Sequence, residues 1–251
     1  MNKKISQLLM LALMALTTLD ATRTLYAQDA LGKPFVLTVQ ADRESYLPGE
    51  AVQLRLSLAN QSGAVVKAAR PDVGNGTLSL FLAFGKQPFQ LYRGPDQNSL
   101  RSLSTPVTDL AAGESVTVQT TMLYHRLQST SHLTELYARP IREKELNNYF
   151  ALDRIGQYRL KAVYKDALSK MTVESEPIAI TVREPYGSDR MFWEGVKDDP
   201  DAAFLLHTGS LGQPSNTVRT REFVEKMMRL MMLYPDSSIA QKAKERLPID
   251  K

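Results

Sequence analysis

Alternating apolar and polar residues are the main pattern of the chain, and the pattern is clearest in the segment YLPGEAVQLRLSLAN, residues 46–60. From Val52 to Leu58 every second residue is apolar, which is the period of a strand with one buried and one solvent-facing side. The preceding Pro48-Gly49 pair predicts a type II turn, because proline presets φ and glycine accepts a positive φ at the next position. The segment NQSG at residues 60–63 predicts the turn that follows.

Similar alternation predicts further strands between residues 35 and 182. In the segment 109–122 the pair Gly113-Glu114 occupies the place that Gly49-Glu50 has in the first pattern, and we expect both glutamates to hold their turns. Pro177 predicts a bulge or an edge position, since proline cannot donate to a ladder. The pattern predicts a mainly β fold, an antiparallel β-sandwich over residues 35–183, with strands at residues 35–39, 52–60, 77–84, 89–92, 109–122, 154–164 and 171–182.

Two regions depart from this alternation. Residues 123–152 interrupt it, and within them EKELNNY at 143–149 could form a short helix. Beyond residues 183–190, where we place a domain boundary, the period becomes helical. Asp199 before Pro200 predicts a helix start, and a serine at 237 or 238 predicts the cap of a last helix. We therefore expect a small α-helical segment over residues 190–251, in which one amphipathic helix carries Phe223, Met227, Leu230, Met231 and Tyr234.

The N-terminus is typical of a secretory signal peptide. Lys3 and Lys4 precede an apolar run at residues 8–19, and Ala27 suits the last position before cleavage. The run is too short to span a bilayer comfortably, although an uncleaved anchor is the alternative. The sequence therefore predicts an exported protein, periplasmic or extracellular, without a transmembrane anchor once residues 1–27 are removed.

Charge and composition narrow the classes of function. The 251 residues carry a formal net charge of +4, and removal of residues 1–27 leaves about +2, a small excess that does not indicate a nucleic-acid partner. The chain has no cysteine, which excludes disulfides, thiol nucleophiles and thiolate metal sites. An exported chain of this kind depends on core burial for its stability.

The usual catalytic and metal-binding motifs are absent from the sequence, which has no HExxH, P-loop, EF-hand loop or GxSxG elbow. His125 and His132 are seven residues apart in the least predictable region, and we expect them at the surface or at the edge of the core. The aspartates in DDPD, residues 198–201, are explained by helix capping rather than by a cation. The sequence thus predicts no catalytic residue, no metal and no cofactor, and a protein that is not an enzyme.

Five residues are candidates for contact with a protein partner. The methionines at helical spacing would form either the core side of their helix or an adaptable binding face. The single tryptophan would either anchor the helical segment on the sheets or lie exposed for a ligand. The candidate partner-binding residues are Met227, Met228, Met231, Met232 and Trp193.

Two family resemblances follow from these segments. The pattern Y-x-P-G-E-x-V-x-L-x-L-x-L-x-N from Tyr46, with G-x-Y-x-L-x-A-x-Y from Gly156 and S-x-P-I-x-I-x-V from Ser175, resembles bacterial immunoglobulin-like domains of exported proteins. The segment LYPDSSIAQKAKERL, residues 233–247, is similar to part of a tetratricopeptide-like helical pair. The first resemblance implies an immunoglobulin-like sandwich without catalytic residues, and the second implies a partial unit that packs on the sandwich or on a partner.

Three hypotheses of function follow. The first is an exported, non-catalytic binding or scaffolding module of the cell envelope with a protein partner. The second is a protease inhibitor acting through the loops at residues 94–108 or 123–152, because inhibitor domains of the family it resembles share the Gly-Glu strand motif. The third is a hydrolase that uses histidines and carboxylates of the region 123–152.

Overall fold

A computed structural model describes residues 34–95, 106–125, 150–166, 168–209 and 217–246, and these ranges contain eleven strands and four helices. The predicted signal peptide, the predicted helix at 143–149 and His132 lie outside them. The strands are Phe35–Ala41 (β1), Ser45–Tyr46 (β2), Val52–Asn60 (β3), Val66–Ala69 (β4), Leu78–Phe84 (β5), Gln90–Leu91 (β6), Val107–Leu110 (β7), Ser115–Met122 (β8), Gly156–Lys165 (β9), Thr172–Glu174 (β10) and Ile178–Val182 (β11). The helices are Gly187–Val196 (α1), Pro200–Thr208 (α2), Thr217–Leu233 (α3) and Ser238–Arg246 (α4).

The strands form one three-stranded, one six-stranded and one two-stranded sheet. Their orders are β1-β3-β8, then β2-β11-β9-β5-β6 with β10 also on β9, and β4-β7. All pairs are antiparallel except β2 with β11, which is parallel. The prediction of a mainly β protein with antiparallel sheets is therefore confirmed.

Inward-facing residues of the two larger sheets form a single hydrophobic core. In β3 the buried positions are those that the alternation predicted, Val52, Leu54, Leu56 and Leu58, while Gln53 and Arg55 are exposed. The opposing sheet contributes Leu80 from β5 and Leu160 from β9, among others. Burial of these side chains is the main source of stability in this part of the chain, since each contributes roughly 1.5–3 kcal/mol.

Two turns of the same construction precede β3 and β8. Gly49 and Gly113 have φ of +77° and +78°, and each following glutamate folds back on its own turn. The Leu47 N–H donates to Glu50 Oε2 at 2.8 Å, and the Ala111 N–H donates to Glu114 Oε2 at 2.8 Å. The prediction that both glutamates hold their turns is confirmed, as is the positive φ at Gly49.

Two of the four described helices, α2 and α4, begin where the sequence predicts. The Asp199 side chain accepts from the N–H groups of Asp201 and Ala202, and Gly209 ends α2 with a left-handed φ of 71°. The Ser237 hydroxyl accepts from the Ala240 N–H at the start of α4. The helix α1 was not predicted. No side chain caps its start, so it lacks the usual sequence signal of a helix N-terminus.

A second hydrophobic core lies between the helices and one end of the sheets. Phe192 and Trp193 of α1 meet Leu205 of α2, Phe223 of α3 and Ala243 of α4 in this cluster. Leu123, which directly follows β8, and Phe150 belong to the same cluster. The helices therefore share apolar contacts with the sheets. Within the described ranges, no helix is long and apolar enough to cross a membrane.

Candidate functional site

The turn at Pro48-Gly49-Glu50 lies directly beneath α1 and α4, and this contact is here called the junction. A β-carbon placed on Gly49 would lie 2.6 Å from Cζ3 of Trp193, closer than real side chains approach. The Trp193 ring also meets Phe150 edge-on, with ring centroids 5.0 Å apart. Glycine is therefore required at position 49 both by its backbone angle and by the indole that covers it.

A buried ion pair fastens the same turn to the last helix. Glu50 is only 5% exposed, and its Oε1 accepts from Lys242 Nζ of α4 at 2.7 Å. Arg43 Nη1 lies 3.4 Å from the other carboxylate oxygen. Burial by itself raises the pKa of Glu50, but the hydrogen bonds from Lys242 and Leu47 and the charges of Lys242 and Arg43 outweigh it, so the pKa lies below its ordinary value.

A cavity of about 380 Å³ opens beside this ion pair. Its apolar wall is formed by Leu123, Leu206 and Ile239, and its polar wall carries Arg43, Glu50 and Lys242. A volume in this range with a few converging polar groups is typical of small-ligand sites. Both cations contact Glu50, and Asp42 and Glu245 also line the cavity, so its wall carries three carboxylates and two cations.

A second, smaller cavity of about 110 Å³ is lined by His125, Asp153 and Tyr158, among others. His125 Nδ1 accepts from the Arg93 N–H at 3.1 Å, and the ring stacks on Tyr92 with centroids 5.4 Å apart. Burial and the nearby charge of Arg93 lower the pKa of His125 to about 4, so it is neutral at pH 7. Burial raises the pKa of Asp153.

An acidic cavity of about 540 Å³ lies between α1, the start of α2 and α3. Asp198, Asp199 and Asp201 line it, and Asp199 both caps α2 and binds Lys226 Nζ at 2.8 Å. In the part of the chain that the structure describes, no group of three or more histidines and carboxylates is placed to hold a metal ion. The capping role expected for Asp199 is confirmed.

The five candidate partner-binding residues fall into two groups. Trp193 and Met227 are 6% and 0% exposed and belong to the second core, and Met231 is half-buried against it. Met228 and Met232 are 38% and 80% exposed. Met228 and Met232, four residues apart on one side of α3, are here called the α3 outer face. Trp193 and Met227 are therefore core residues, and the α3 outer face is the exposed part of the candidate set.

Sequence patterns did not reveal the contacts that join distant segments. Lys242 binds a glutamate 192 positions earlier, and Asp189 Oδ1 of α1 accepts from the Ser238 N–H at 2.7 Å and from the Ser237 hydroxyl at 2.9 Å. Neither contact leaves a local signal. The echo of Gly49-Glu50 in Gly113-Glu114 marks the two turns, but it does not indicate which of them lies beneath the helices.

Comparison with known proteins gives no family. No family model matches the chain, and no curated protein matches it. Among solved structures, the sporulation control protein Spo0M of Bacillus subtilis is 11% identical with a TM-score of 0.33, covering 65% of this chain and 55% of that one. The alkylpurine DNA glycosylase AlkC of Pseudomonas fluorescens is 10% identical with a TM-score of 0.31, covering 61% of this chain and 31% of that one.

A β-glucosidase of Listeria innocua is similar to the same extent, with 14% identity, a TM-score of 0.32 and coverage of 61% of this chain and 16% of that one. The chain thus spans about half of the length of Spo0M and less of the two enzymes. At these TM-scores the similarities carry no argument about fold or activity.

Proposed function

We propose that the chain is an exported, non-catalytic binding or scaffolding module of the cell envelope, in which an immunoglobulin-like sandwich carries the helices as a rigid platform for a protein partner. The observation that carries this proposal is the junction. Trp193 on Gly49 and Lys242 on Glu50 fix the helices to the sheets, so α3 has a defined orientation and presents its outer face to solvent.

Two features, the strand orders and one tyrosine, support the immunoglobulin-like part of the proposal. The orders β1-β3-β8 and β11-β9-β5 correspond to the A-B-E and G-F-C orders of that fold. The Tyr158 hydroxyl, near the start of β9, accepts from the Arg154 N–H at 2.9 Å and contacts Asp153 Oδ1 at 3.0 Å. A tyrosine at this place that bonds back to the preceding backbone is a known feature of such sandwiches.

Exposure of methionine on a held helix supports a protein partner. Met232 is 80% exposed, and Leu233 beside it is also exposed. Flexible, polarisable methionine side chains adapt to the apolar surfaces of partners. The helical pair α3 and α4, which resembles part of a tetratricopeptide-like unit, then acts as the recognition element, and the sheets act as its support.

Site-specific photocrosslinking tests this proposal. A photoreactive amino acid is placed at Met228 or Met232, and as a matched control at Leu168, which is 55% exposed in the β9–β10 turn. The proposal predicts a discrete crosslinked product in the envelope of the native cells from the α3 positions but not from position 168. It also predicts that Met232→Glu prevents the product when the photoreactive residue is at position 228, and that Met228→Glu prevents it when the photoreactive residue is at position 232. Equal labelling at all three positions would contradict it.

A hydrolase is the second candidate, because His125 and Asp153 line one cavity. Its test is the activity of the purified chain and of His125→Gln on ester, phosphate and glycoside substrates. Turnover that the substitution abolishes would favour the hydrolase over the binding module. The protease-inhibitor hypothesis concerns loops that lie largely outside the described residues, and inhibition of exported proteases by the purified chain is its test.

A further inference from the structure

The strand β8 forms one edge of the three-stranded sheet. It pairs with β3 on one side, and within the described ranges no strand pairs with its other side. The Asn60 N–H donates to Glu114 O. Hydrogen-bonded pairs alternate along an antiparallel ladder, so Val116, Val118 and Thr120, which lie opposite Leu58, Leu56 and Leu54, are hydrogen-bonded to β3. The backbone amides of the alternate residues, Thr117 and Gln119 among them, therefore point toward the open edge.

Sheet edges of this kind usually carry features that prevent pairing with another strand, such as lysine, proline, a bulge or a short length. The strand SVTVQTTM has none of these features. It is eight residues long, it has no charged residue, and its register with β3 is continuous from Ser115 to Met122. Such an edge is a template for the addition of a strand.

The inward side of β8 is also incompletely covered. Val116 and Val118 pack against the first core but are only partly buried. On the opposite edge of the same sheet, the inward residues of β1, such as Phe35 and Leu37, are fully buried. An added strand would therefore gain apolar contact at β8, and it would gain little at β1.

Because β8 carries no charged residue, two copies of the strand can lie side by side without like charges facing each other. We propose that β8 pairs antiparallel with β8 of a second copy of this chain, about a two-fold axis that passes beside Val118. In this register Thr117 faces the partner's Gln119, so the N–H of each of these residues, which points to the open edge, donates to the backbone C=O of the other. Val116 faces the partner's Thr120 on the inner side. The result is a continuous six-stranded sheet, β1-β3-β8 joined to its symmetry mate.

Charge is compatible with this dimer. Arg55 is the only charged residue on the outer side of β1, β3 and β8. The Arg55 residues of the two copies would be separated by three strand spacings, roughly 14 Å. That distance exceeds the Debye length of about 8 Å at physiological salt, so their repulsion is weak. This inference does not depend on the proposed function of α3.

Paired lysines test the interface. In Thr117→Lys/Gln119→Lys the new side chains point to solvent and face each other across the proposed axis. The matched control is Thr38→Lys/Gln40→Lys, the same residue types, also exposed, on β1 of the same sheet. Sedimentation from about 1 to 100 µM should show a monomer–dimer equilibrium for the unmodified chain and the control, since small interfaces associate weakly.

The dimer dissociation constant of the β8 lysine variant should be about tenfold higher or more, since like charges opposite each other destabilise strand pairs. Mixing it with Thr117→Glu/Gln119→Glu should restore a dimer, which also shows that both variants fold. A chain that is monomeric throughout this range, for instance because one of its own segments covers the edge, would overturn the inference. So would a dimer that the β1 lysines weaken as much as the β8 lysines do.

A single cysteine tests the register, because the chain has none of its own. Residues at position 118 would face each other in a non-hydrogen-bonded pair with Cα atoms about 4.5 Å apart, within the range of a disulfide. The two residues at position 116 would be offset by four residues along the strands, so their Cα atoms would lie roughly 13 Å apart or more. Mild oxidation should therefore crosslink Val118→Cys and leave Val116→Cys largely monomeric. Equal crosslinking of the two variants would overturn the proposed register.

Discussion

Trp193 lies directly on Gly49, and the space between them is too small for a methyl group. Gly113 has the same positive φ in the same kind of turn, but nothing lies within 4 Å of the position of its missing β-carbon. An alanine at position 113 therefore measures the free-energy cost of the backbone angle alone, and an alanine at position 49 measures that cost together with the cost of disturbing the contact between the sheets and the helices.

Alanine at each of these positions should have different effects on stability. Gly113→Ala should lower the free energy of unfolding by about 1–2 kcal/mol, the cost of a left-handed alanine. Gly49→Ala should cost a further ~1–3 kcal/mol, because the added carbon displaces the indole. Denaturant unfolding of both variants measures the difference. An equal loss of unfolding free energy in the two variants would mean that Trp193 does not contact Gly49 closely in solution.

Glu50 should contribute to stability in a pH-dependent way. Glu50→Gln keeps the side-chain shape but loses the ion pairs with Lys242 and Arg43, and should cost about 1–3 kcal/mol at pH 7. Glu114→Gln is the matched control, since Glu114 has the same turn bond but is exposed. It should cost less than ~1 kcal/mol.

The sign of the pH effect follows from the lowered pKa of Glu50. The stabilisation is present above the pKa of the unfolded state, near 4.3, and is lost as the pH falls through the lower pKa of the folded state. Unfolding free energies measured between pH 7 and about pH 3 should therefore converge for the unmodified chain and Glu50→Gln. A difference that stays constant over this range would argue against the buried ion pair.

The methionines of α3 should divide into structural and exposed residues. Met227→Ala removes a fully buried side chain from the second core and should cost about 2–5 kcal/mol. Met232→Ala, five positions further on the same helix, should change stability by less than about 0.5 kcal/mol. Thermal unfolding of the two variants checks the division, and a large loss in Met232→Ala would show that this side chain is covered.

Local features of the fold were predictable because they depend on neighbouring residues. The period of β3, the turn at Gly49 and the cap at Asp199 each follow from a few adjacent positions. The helix α1 lacks a side-chain cap, so its start had no signal. It is held from outside, by the burial of Phe192 and Trp193 and by the bonds of Asp189 to the start of α4.

The junction could not be predicted, because its partners are far apart in the chain. The sequence showed two equivalent Gly-Glu turns, and only the packing of the helices distinguishes Glu50, which meets Lys242, from Glu114. The methionine pattern likewise allowed both a core and a binding face. Which residue has which role depends on the neighbours of α3, and a helical period alone does not contain that information.

The most direct test of the central claim uses the single tryptophan of the chain. Because Trp193 lies at the junction, its fluorescence reports the contact between the helices and the sheets, and circular dichroism near 217 nm reports the strands. If the helices are held on the sheets as one platform, both signals should change at the same temperature, and Glu50→Gln should shift both midpoints together. A fluorescence transition well below the loss of strand signal would contradict the account, because the helices would then detach while the sheets remain folded.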